Sequence, residues 1–217
     1  MSDAAALIEA VKAGDRSRVR AILESSPRLG VVPIPSGETA VMTALYRGQR
    51  DLAEEMAATA GNLDVFAAAA LGEGTALAHA IAAGRANDVA YDGWTPLHLA
   101  AFFGQAAAAA QLLDAGAAID AVSRNSMRNT PLHAATAGGR APVAILLIER
   151  GANVNVQDAG RYTPLHIAAE NGLTDVVRAL LNRGADPLAV DAEDMTPLAR
   201  AAAKNRNEIV DLLNERT

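Results

Sequence analysis

Residues 93–105 read GWTPLHLAAFFGQ, and this stretch decides the fold. Thr95 suits a helix cap, because its hydroxyl can accept a hydrogen bond from a free backbone N–H at the helix start. Pro96 suits the first helical position, where its missing N–H costs nothing. An apolar stripe at helical spacing begins at Leu97, and Gly104 ends it. The stretch therefore predicts a short helix with a defined start and stop.

The same stretch recurs at a fixed period along the chain. Thr-Pro-Leu-His begins at Thr95, Thr130 and Thr163, and Thr-Pro-Leu-Ala begins at Thr196, so the intervals are 35, 33 and 33 residues. A second marker has the same period, namely a glycine followed by alanine at Gly116, Gly151 and Gly184. Two independent markers with one period indicate a repeated structural unit.

Each unit contains more than its first helix. A second helix follows, with Leu112 and Leu113 turned inward, and we expect Gly116 to end it with a positive φ. About ten polar residues with turn chemistry then precede the next threonine, and they suit a projecting loop or hairpin.

This unit resembles the ankyrin repeat, which pairs two helices with a β-hairpin and opens its first helix with Thr-Pro-Leu-His. The three full motifs and the fourth without histidine cover about residues 90–217. The resemblance implies an all-α repeat solenoid of stacked helix-turn-helix units with projecting β-hairpin loops.

The N-terminal half aligns with this pattern through the residue between the two helices of each unit. The series is Gly14, Gly48, Gly72, Gly104, Gly139, Gly172 and Asn205, with steps of 34, 24, 32, 35, 33 and 33 residues. We therefore expect about seven units in a single domain over 1–217. Their approximate bounds are 1–36, 37–62, 63–90, 91–125, 126–158, 159–191 and 192–217.

Two irregular steps predict local departures from this repeat. The 24-residue step is too short for a hairpin, so we expect no finger there and a bend at TAGNLD, residues 59–64. The 35-residue step places a two-residue insertion near RNSMRN, residues 124–129, which should lengthen one finger.

The composition excludes several classes of function. The net charge of −6 argues against nucleic acid as a partner, because phosphate binding needs a dense basic surface. The chain has no cysteine, which excludes disulfides and thiolate chemistry and fits a reducing compartment, so a cytoplasmic location is expected. No apolar run is long enough to span a membrane, and the first residues do not resemble a secretory signal.

His98, His133 and His166 recur at the same place in three units. Stacked helices lie about 8–10 Å apart, whereas histidines that share a zinc ion need nitrogens about 2.0–2.1 Å from it. A metal ladder is therefore not expected, and the family resemblance implies that each histidine forms hydrogen bonds within its own unit. Phosphate-binding loops, nucleophile elbows and zinc-protease motifs are also absent, so we expect no enzyme, no cofactor and no metal.

The resemblance also implies a concave binding face, made of first helices and hairpin tips, that takes a protein partner. By this register, nearly all the aromatic residues fall on or near that face, and aromatics with arginine dominate interface hot spots. The predicted protein-binding residues are Tyr46, Arg47, Tyr91, Trp94, Phe102, Phe103, Met127, Arg128, Arg161, Tyr162, Glu170, Asn171 and Met195. The stretch around Trp94, Phe102 and Phe103 is the preferred anchor.

Several alternatives stay open at this point. Adjacent residues on a helix point about 100° apart, so Phe102 and Phe103 cannot face the same way, and one of them can pack against the next unit. Trp94 can equally cover the base of a hairpin. The apolar patch could also form a homodimer, although a monomer is favoured, or the chain could be an inhibitory or accessory subunit of a toxin or an enzyme.

Overall fold

The computed structural model describes residues 2–216, and in this range fourteen α-helices follow one another as seven pairs. The first helices of the pairs are α1 (Asp3–Ala13), α3 (Ala40–Tyr46), α5 (Val65–Leu71), α7 (Pro96–Phe103), α9 (Pro131–Ala137), α11 (Pro164–Asn171) and α13 (Pro197–Ala203). The second helices are α2 (Arg16–Ser25), α4 (Arg50–Ala60), α6 (Gly74–Ala82), α8 (Ala106–Asp114), α10 (Ala141–Glu149), α12 (Thr174–Asn182) and α14 (Asn207–Asn214). A short 3₁₀ helix, Pro27–Val31, follows α2.

Helices α7, α9, α11 and α13 begin at the Thr-Pro motifs, where the sequence predicts a helix start. The residue that caps each of the seven first helices carries a short side-chain oxygen, and these residues are Ser2, Thr39, Asp64, Thr95, Thr130, Thr163 and Thr196. Gly104 ends α7 in the left-handed conformation at φ 81°, as expected from its position. Gly116 also has a positive φ of 81°. The caps and the glycines therefore mark where these helices begin and end.

The core lies between consecutive helix pairs. Each first helix from α5 to α11 packs against the first helix of the next pair, and each first helix from α5 to α13 packs against its own second helix. Leu97, Leu99, Ala100 and Ala101 on α7 are completely buried, and the small alanines let neighbouring helices approach closely. The second helices bury one face only, as Leu112 does on α8. The predicted all-helical repeat solenoid is therefore confirmed.

The loops between pairs form five turns that we call fingers 1 to 5. Each is closed by a backbone hydrogen bond from the N–H of its first residue to the carbonyl of its last. They span residues 34–38, 90–94, 123–129, 158–162 and 191–195. No residue in the range 2–216 belongs to a β-strand, so regular β-hairpins are not found. Each finger is too short for a β-hairpin, because its one closing hydrogen bond leaves no residues for a ladder of strand hydrogen bonds.

Both irregular steps have the predicted consequence. Helix α4 ends at Ala60 and α5 begins at Val65, with Gly61 in the left-handed conformation between them, so this connection carries no finger. Finger 3 closes between Ser123 and Asn129, six residues apart, whereas the other fingers close over four. The inserted residues therefore lengthen finger 3 alone.

The fingers contact one another in a row. The N–H of Arg124 in finger 3 donates to Gly93 in finger 2 at 2.9 Å, and equivalent bonds join fingers 3 to 4 and 4 to 5. Finger 1 reaches finger 2 because the intervening connection has no finger, and a Cβ at Gly37 would lie 2.6 Å from the Cβ of Tyr91. Within residues 2–216, no helix combines the length and the apolar character needed to cross a membrane.

Candidate protein-binding surface

Three buried histidines hold the fingers against the helices. In α7, the Thr95 hydroxyl and the His98 Nδ1 lie 2.8 Å apart, and the backbone N–H of Thr95 also donates to that Nδ1 at 3.3 Å. The other nitrogen, Nε2, lies 3.0 Å from the carbonyl oxygen of Asn129, which ends the next finger. His133 and His166 repeat this arrangement in the two following units.

The histidine therefore bonds between units as well as within its own, which extends what the resemblance implied. A carbonyl oxygen can only accept, so Nε2 carries the proton and the Nδ1 facing Thr95 is free to accept. Burial lowers the pKa of His98 to about 4, so the ring is neutral at pH 7. In the described part of the chain, no group of histidine or acidic residues could hold a metal ion.

Four aromatic rings, which we call the aromatic cluster, meet beside this frame. The ring centroid of Trp94 lies 5.3 Å from that of Phe102 and 6.5 Å from that of Tyr46, both edge-on. Phe103 is 5.6 Å from Tyr46 and 5.2 Å from Phe102. Trp94 also stacks on His98 at 5.9 Å. The concentration of aromatics in GWTPLHLAAFFGQ therefore builds one cluster that spans α3, finger 2 and α7.

The aromatic cluster forms one wall of an open cavity of about 350 Å³, which we call the central cavity. It is bounded by α3, fingers 2 and 3, and the ends of α7 and α9. Its lining residues are Tyr46, Asp92, Trp94, Phe102, Asn125, Met127, Asn129 and Ala137. Most of the lining is apolar, and Met127 and Tyr46 are the most exposed of its large apolar side chains, at 48% and 39%.

Two polar atoms of the lining residues are buried without a hydrogen-bond partner. One is Nε1 of Trp94, a donor, and the other is Oδ1 of Asn129, an acceptor. Trp94 is 6% exposed and Asn129 7%, so neither side chain is well solvated. Buried polar groups in proteins are nearly always paired, so two unpaired groups of opposite kind at one cavity require an explanation.

A single negative charge lies at the rim of the cavity. The Tyr46 hydroxyl donates to Oδ2 of Asp92, and Oδ1 of Asp92 accepts from the backbone N–H of Trp94 at 3.0 Å. Burial of the hydroxyl, followed by the charge of Asp92, raises the pKa of Tyr46 well above its usual range. The hydroxyl therefore stays protonated and keeps the carboxylate fixed across finger 2.

The three residues of the preferred anchor differ in whether they line the cavity, which the sequence left open. Trp94 is buried and contributes to the cavity wall, so it is not an exposed anchor. Phe102 lines the cavity, whereas Phe103 packs on Tyr46 and Phe102 without lining it. Tyr91 is 44% exposed but borders a different cavity, between fingers 1 and 2.

The predicted binding residues nearer the C-terminus contact other residues of this protein. The guanidinium of Arg200 lies 4.9 Å from the ring centroid of Tyr162. Asn171 donates to the carbonyl of Thr136 at 3.0 Å, so it ties α11 to α9. The remaining contacts of this group join Glu170 to Lys204 at 3.2 Å and the Met195 carbonyl to His166 at 3.1 Å. These residues are not part of the central cavity.

The arginines expected at the binding face are exposed and have no carboxylate partner among the described residues. They are Arg47 after α3, Arg128 in finger 3 and Arg161 in finger 4, and Arg124 in finger 3 shares this property. Arg128 and Arg161 adopt left-handed backbone conformations, with φ of 49° and 60°. Finger 2 places Gly93 at the equivalent position, with φ of 85°.

Four cavity residues, Asp92, Asn125, Asn129 and Ala137, were not predicted as site residues. Asp92 and Asn125 belong to fingers, where turn chemistry alone explains an Asp or Asn in the sequence. Asn129 gave a usable signal, because it stands directly before its threonine as Trp94 does. The other three Thr-Pro units have Trp94, Tyr162 and Met195 at this position, so an amide there is a departure, and the structure places Asn129 at the same cavity as Trp94.

Comparison with known families agrees with this architecture. Residues 67–158 match a family described as ankyrin repeats (3 copies), and residues 147–201 match one described as ankyrin repeats (many copies). A search of curated proteins found no match. The matched segments include the starts of the four Thr-Pro helices, the histidine bonds and four of the five fingers, and the chain therefore belongs to the ankyrin-repeat family.

Proposed function

We propose that this chain binds a protein partner across fingers 2 to 4, with the central cavity as the anchoring site. Ankyrin repeats are generally protein–protein interaction modules, and proteins built from them are typically non-catalytic. The observation that carries the proposal is the open, mostly apolar cavity bounded by Tyr46, Trp94, Phe102 and Met127. A cavity beside polar finger tips is suited to one inserted side chain surrounded by weaker contacts.

The arginines of fingers 3 and 4 support the same placement. A left-handed backbone costs a non-glycine residue about 1 kcal/mol or more, and strain of this kind concentrates at functional positions. Arg128 and Arg161 carry that strain at finger tips where glycine fits without it, and neither has a carboxylate partner among the residues described. We infer that the partner supplies the carboxylates.

The test uses one pair of matched substitutions. Ala137→Glu introduces a charge into the central cavity from the exposed end of α9, while Ala107→Glu introduces the same charge on an exposed position of α8. Both positions avoid the buried core, so both variants should melt within a few degrees of wild type. We expect immobilised wild type and Ala107→Glu to retain the same protein from a native extract, and Ala137→Glu to lose it.

Two results would contradict this proposal. Retention of the same proteins by all three baits would place the binding site away from the central cavity. Sedimentation of the purified chain at high concentration tests self-association directly. A dimer that Ala137→Glu dissociates and Ala107→Glu leaves intact would replace the proposed hetero-partner by a second copy of this chain.

A further inference from the structure

We propose that the central cavity receives the side-chain carboxamide of a glutamine or asparagine carried on an acidic segment of the partner. This inference rests on the proposed function and deepens it by naming the chemistry of the inserted group. Two observations carry it. They are the two unpaired polar atoms at the cavity and the distribution of charge around it.

Trp94 Nε1 and Asn129 Oδ1 offer complementary hydrogen-bonding groups at the cavity. Both are buried and unpaired, and both residues line the same cavity. The indole N–H can only donate and the amide oxygen can only accept. A carboxamide carries an acceptor oxygen and a donor NH₂ on one carbon, so it pairs with both at once while remaining neutral, whereas a hydroxyl has to do so through a single oxygen atom.

Charge and hydrogen bonding together exclude acidic side chains and lysine from the cavity. A glutamate or aspartate in the cavity would meet the carboxylate of Asp92 and leave Asn129 Oδ1 without a donor. A lysine would leave the indole N–H of Trp94 without an acceptor. It would also approach Arg124 and Arg128, which are exposed on finger 3 without a carboxylate partner in the described range.

The arginines near the cavity indicate the charge of the residues that flank the inserted side chain. Arg47 follows Tyr46, Arg124 and Arg128 bracket the cavity residues Asn125 and Met127, and Arg161 lies in the next finger. These four arginines have no carboxylate partner in the described range, and their positive charge near the cavity favours a negatively charged chain on either side of the inserted group. The net charge of the whole protein is −6, so this positive charge is local, and finger 3 carries Arg124 and Arg128 with no acidic residue.

The first experiment uses small neutral and charged probes of one shape. Trp94 is the one tryptophan in the sequence, so a nitrogen-15 spectrum shows a single indole N–H signal that belongs to the cavity. Butyramide, 2-pentanone, butanoate and butylammonium are each titrated into the folded protein. We expect butyramide to move the indole signal downfield to saturation, and the other three to bind about tenfold more weakly or not at all, since each leaves a buried group unpaired.

Asn129→Leu is the matched variant, because leucine has nearly the shape of asparagine without the amide. Apolar residues fit this position, as Met195 does in the last unit. The variant loses a buried unpaired oxygen, so its unfolding midpoint should equal or exceed that of wild type. We expect it to bind butyramide and 2-pentanone equally well, which a merely structural role for Asn129 would not produce.

The second experiment tests the acidic segment. Two capped peptides carry glutamine at the centre, one with glutamate and aspartate on both sides and one with lysine in their place. We expect the acidic peptide to bind at least tenfold more tightly at low salt, and the difference to shrink severalfold in an Arg128→Gly/Arg161→Gly double variant. Asp194→Gly is the control, since Asp194 has the same backbone conformation, with φ of 56°, in the distant finger 5.

The outcomes separate this inference from the proposed function. Equal binding of butyramide and 2-pentanone to wild type would overturn the carboxamide while leaving an apolar anchor intact. Preference for butylammonium, or no saturable shift with butyramide at any concentration, would overturn it as well. Preference for the lysine peptide would overturn the acidic segment. Loss of the captured partner in Ala137→Glu is independent of all these results and decides the proposed function by itself.

Discussion

His98 shows how one side chain can serve the helix, the finger and the stack of units together. Its Nδ1 accepts from Thr95 at the start of α7, and its Nε2 donates to the carbonyl of Asn129 in the next unit. These bonds need one neutral tautomer, because a protonated ring has two donors and cannot accept from Thr95. The stability of the stack therefore depends on the protonation of these rings.

We predict that the protein loses stability as the pH falls from 7 towards 4. Burial lowers the pKa of His98 from the ordinary 6.5 to about 4, and burial also lowers the pKa of His133 and His166. Between these values the unfolded chain binds more protons than the folded one, so stability is full above the unfolded pKa and declines below it. For His98 alone the loss between pH 7 and pH 5 is about 2 kcal/mol. Urea unfolding at several pH values measures it.

The matched variant for this prediction is His98→Gln. Glutamine at the third helical position can still return a hydrogen bond to the cap, so α7 should keep its start. The variant should be less stable at pH 7, because the bond to Asn129 is lost, but its stability should fall less between pH 7 and pH 5. An unchanged pH slope would contradict the assignment. His79→Gln, on an exposed position of α6, should leave stability at pH 7 within about 0.5 kcal/mol of wild type.

The arginines of the finger tips make a second prediction at the scale of the residue. Arg128→Gly and Arg161→Gly remove a side chain from a left-handed backbone, so each should leave the free energy of unfolding unchanged or raise it by up to about 1 kcal/mol. Asp194→Gly should behave in the same way, because its φ is also positive. Chemical denaturation compares the three. A clear loss of stability in the arginine variants would mean that these side chains support the fold.

Helices α7 and α9 meet at their C-terminal ends, where Phe102 and Ala137 line the central cavity. The carbonyl oxygen of Phe102 accepts from Nε of Arg140 at 3.0 Å, and Gly138 approaches the same oxygen so closely that a Cβ there would overlap it. Gly138 has an ordinary helical φ of −73°, so conformational freedom is not the reason for glycine at this position. The close approach of two helix ends is the reason.

We predict that Gly138→Ala destabilises the protein by about 1–3 kcal/mol, because the added methyl forces α9 away from α7. The control is Gly74→Ala at the start of α6, where the nearest atom to a new Cβ is Gln111 Oε1 at 3.9 Å. That change adds helix propensity without a clash and should stabilise by about 0.5–1 kcal/mol. Urea unfolding followed by Trp94 fluorescence checks both. Equal effects of the two substitutions would contradict the packing argument.

Across the whole molecule, the fingers form a row that crosses a unit without a finger. Fingers 2 to 5 are joined by backbone hydrogen bonds, whereas finger 1 meets finger 2 through van der Waals contact at Gly37 and Tyr91. A solenoid is stabilised by contacts between neighbouring units, so this contact joins two fingers that the repeat would otherwise keep apart.

We predict that Gly37→Ala loosens the N-terminal part of the molecule more than backbone strain alone would. Gly184→Ala is the control, because its φ of 82° is close to the 90° of Gly37 and nothing lies within 4 Å of its new Cβ. Both variants should lose about 1 kcal/mol from the positive φ, and Gly37→Ala should lose a further 1–3 kcal/mol from the clash with Tyr91. Hydrogen exchange should show the extra loss in α1 to α4. Identical exchange in both variants would contradict it.

The sequence by itself determined the repeat. Caps such as Thr95, prolines at the first helical position and glycines such as Gly104 and Gly116 act within a few residues, so their spacing fixes where helices start and stop. The 24-residue step likewise determined that one finger is missing, because a chain of that length holds two helices and no more. These are local constraints, and local constraints can be read from a linear sequence.

Only the tertiary structure decided which predicted site residues come together. The sequence placed Trp94 among the anchors of the binding face, but the burial of Trp94 depends on Tyr46 from an earlier unit and on His98 beneath its ring. It also left out Asn129, whose unpaired oxygen matters only because the longer finger 3 brings it to the cavity that Trp94 lines. Contacts between units depend on how closely helices and fingers approach, and that distance is set by packing across the stack and not by any one repeat.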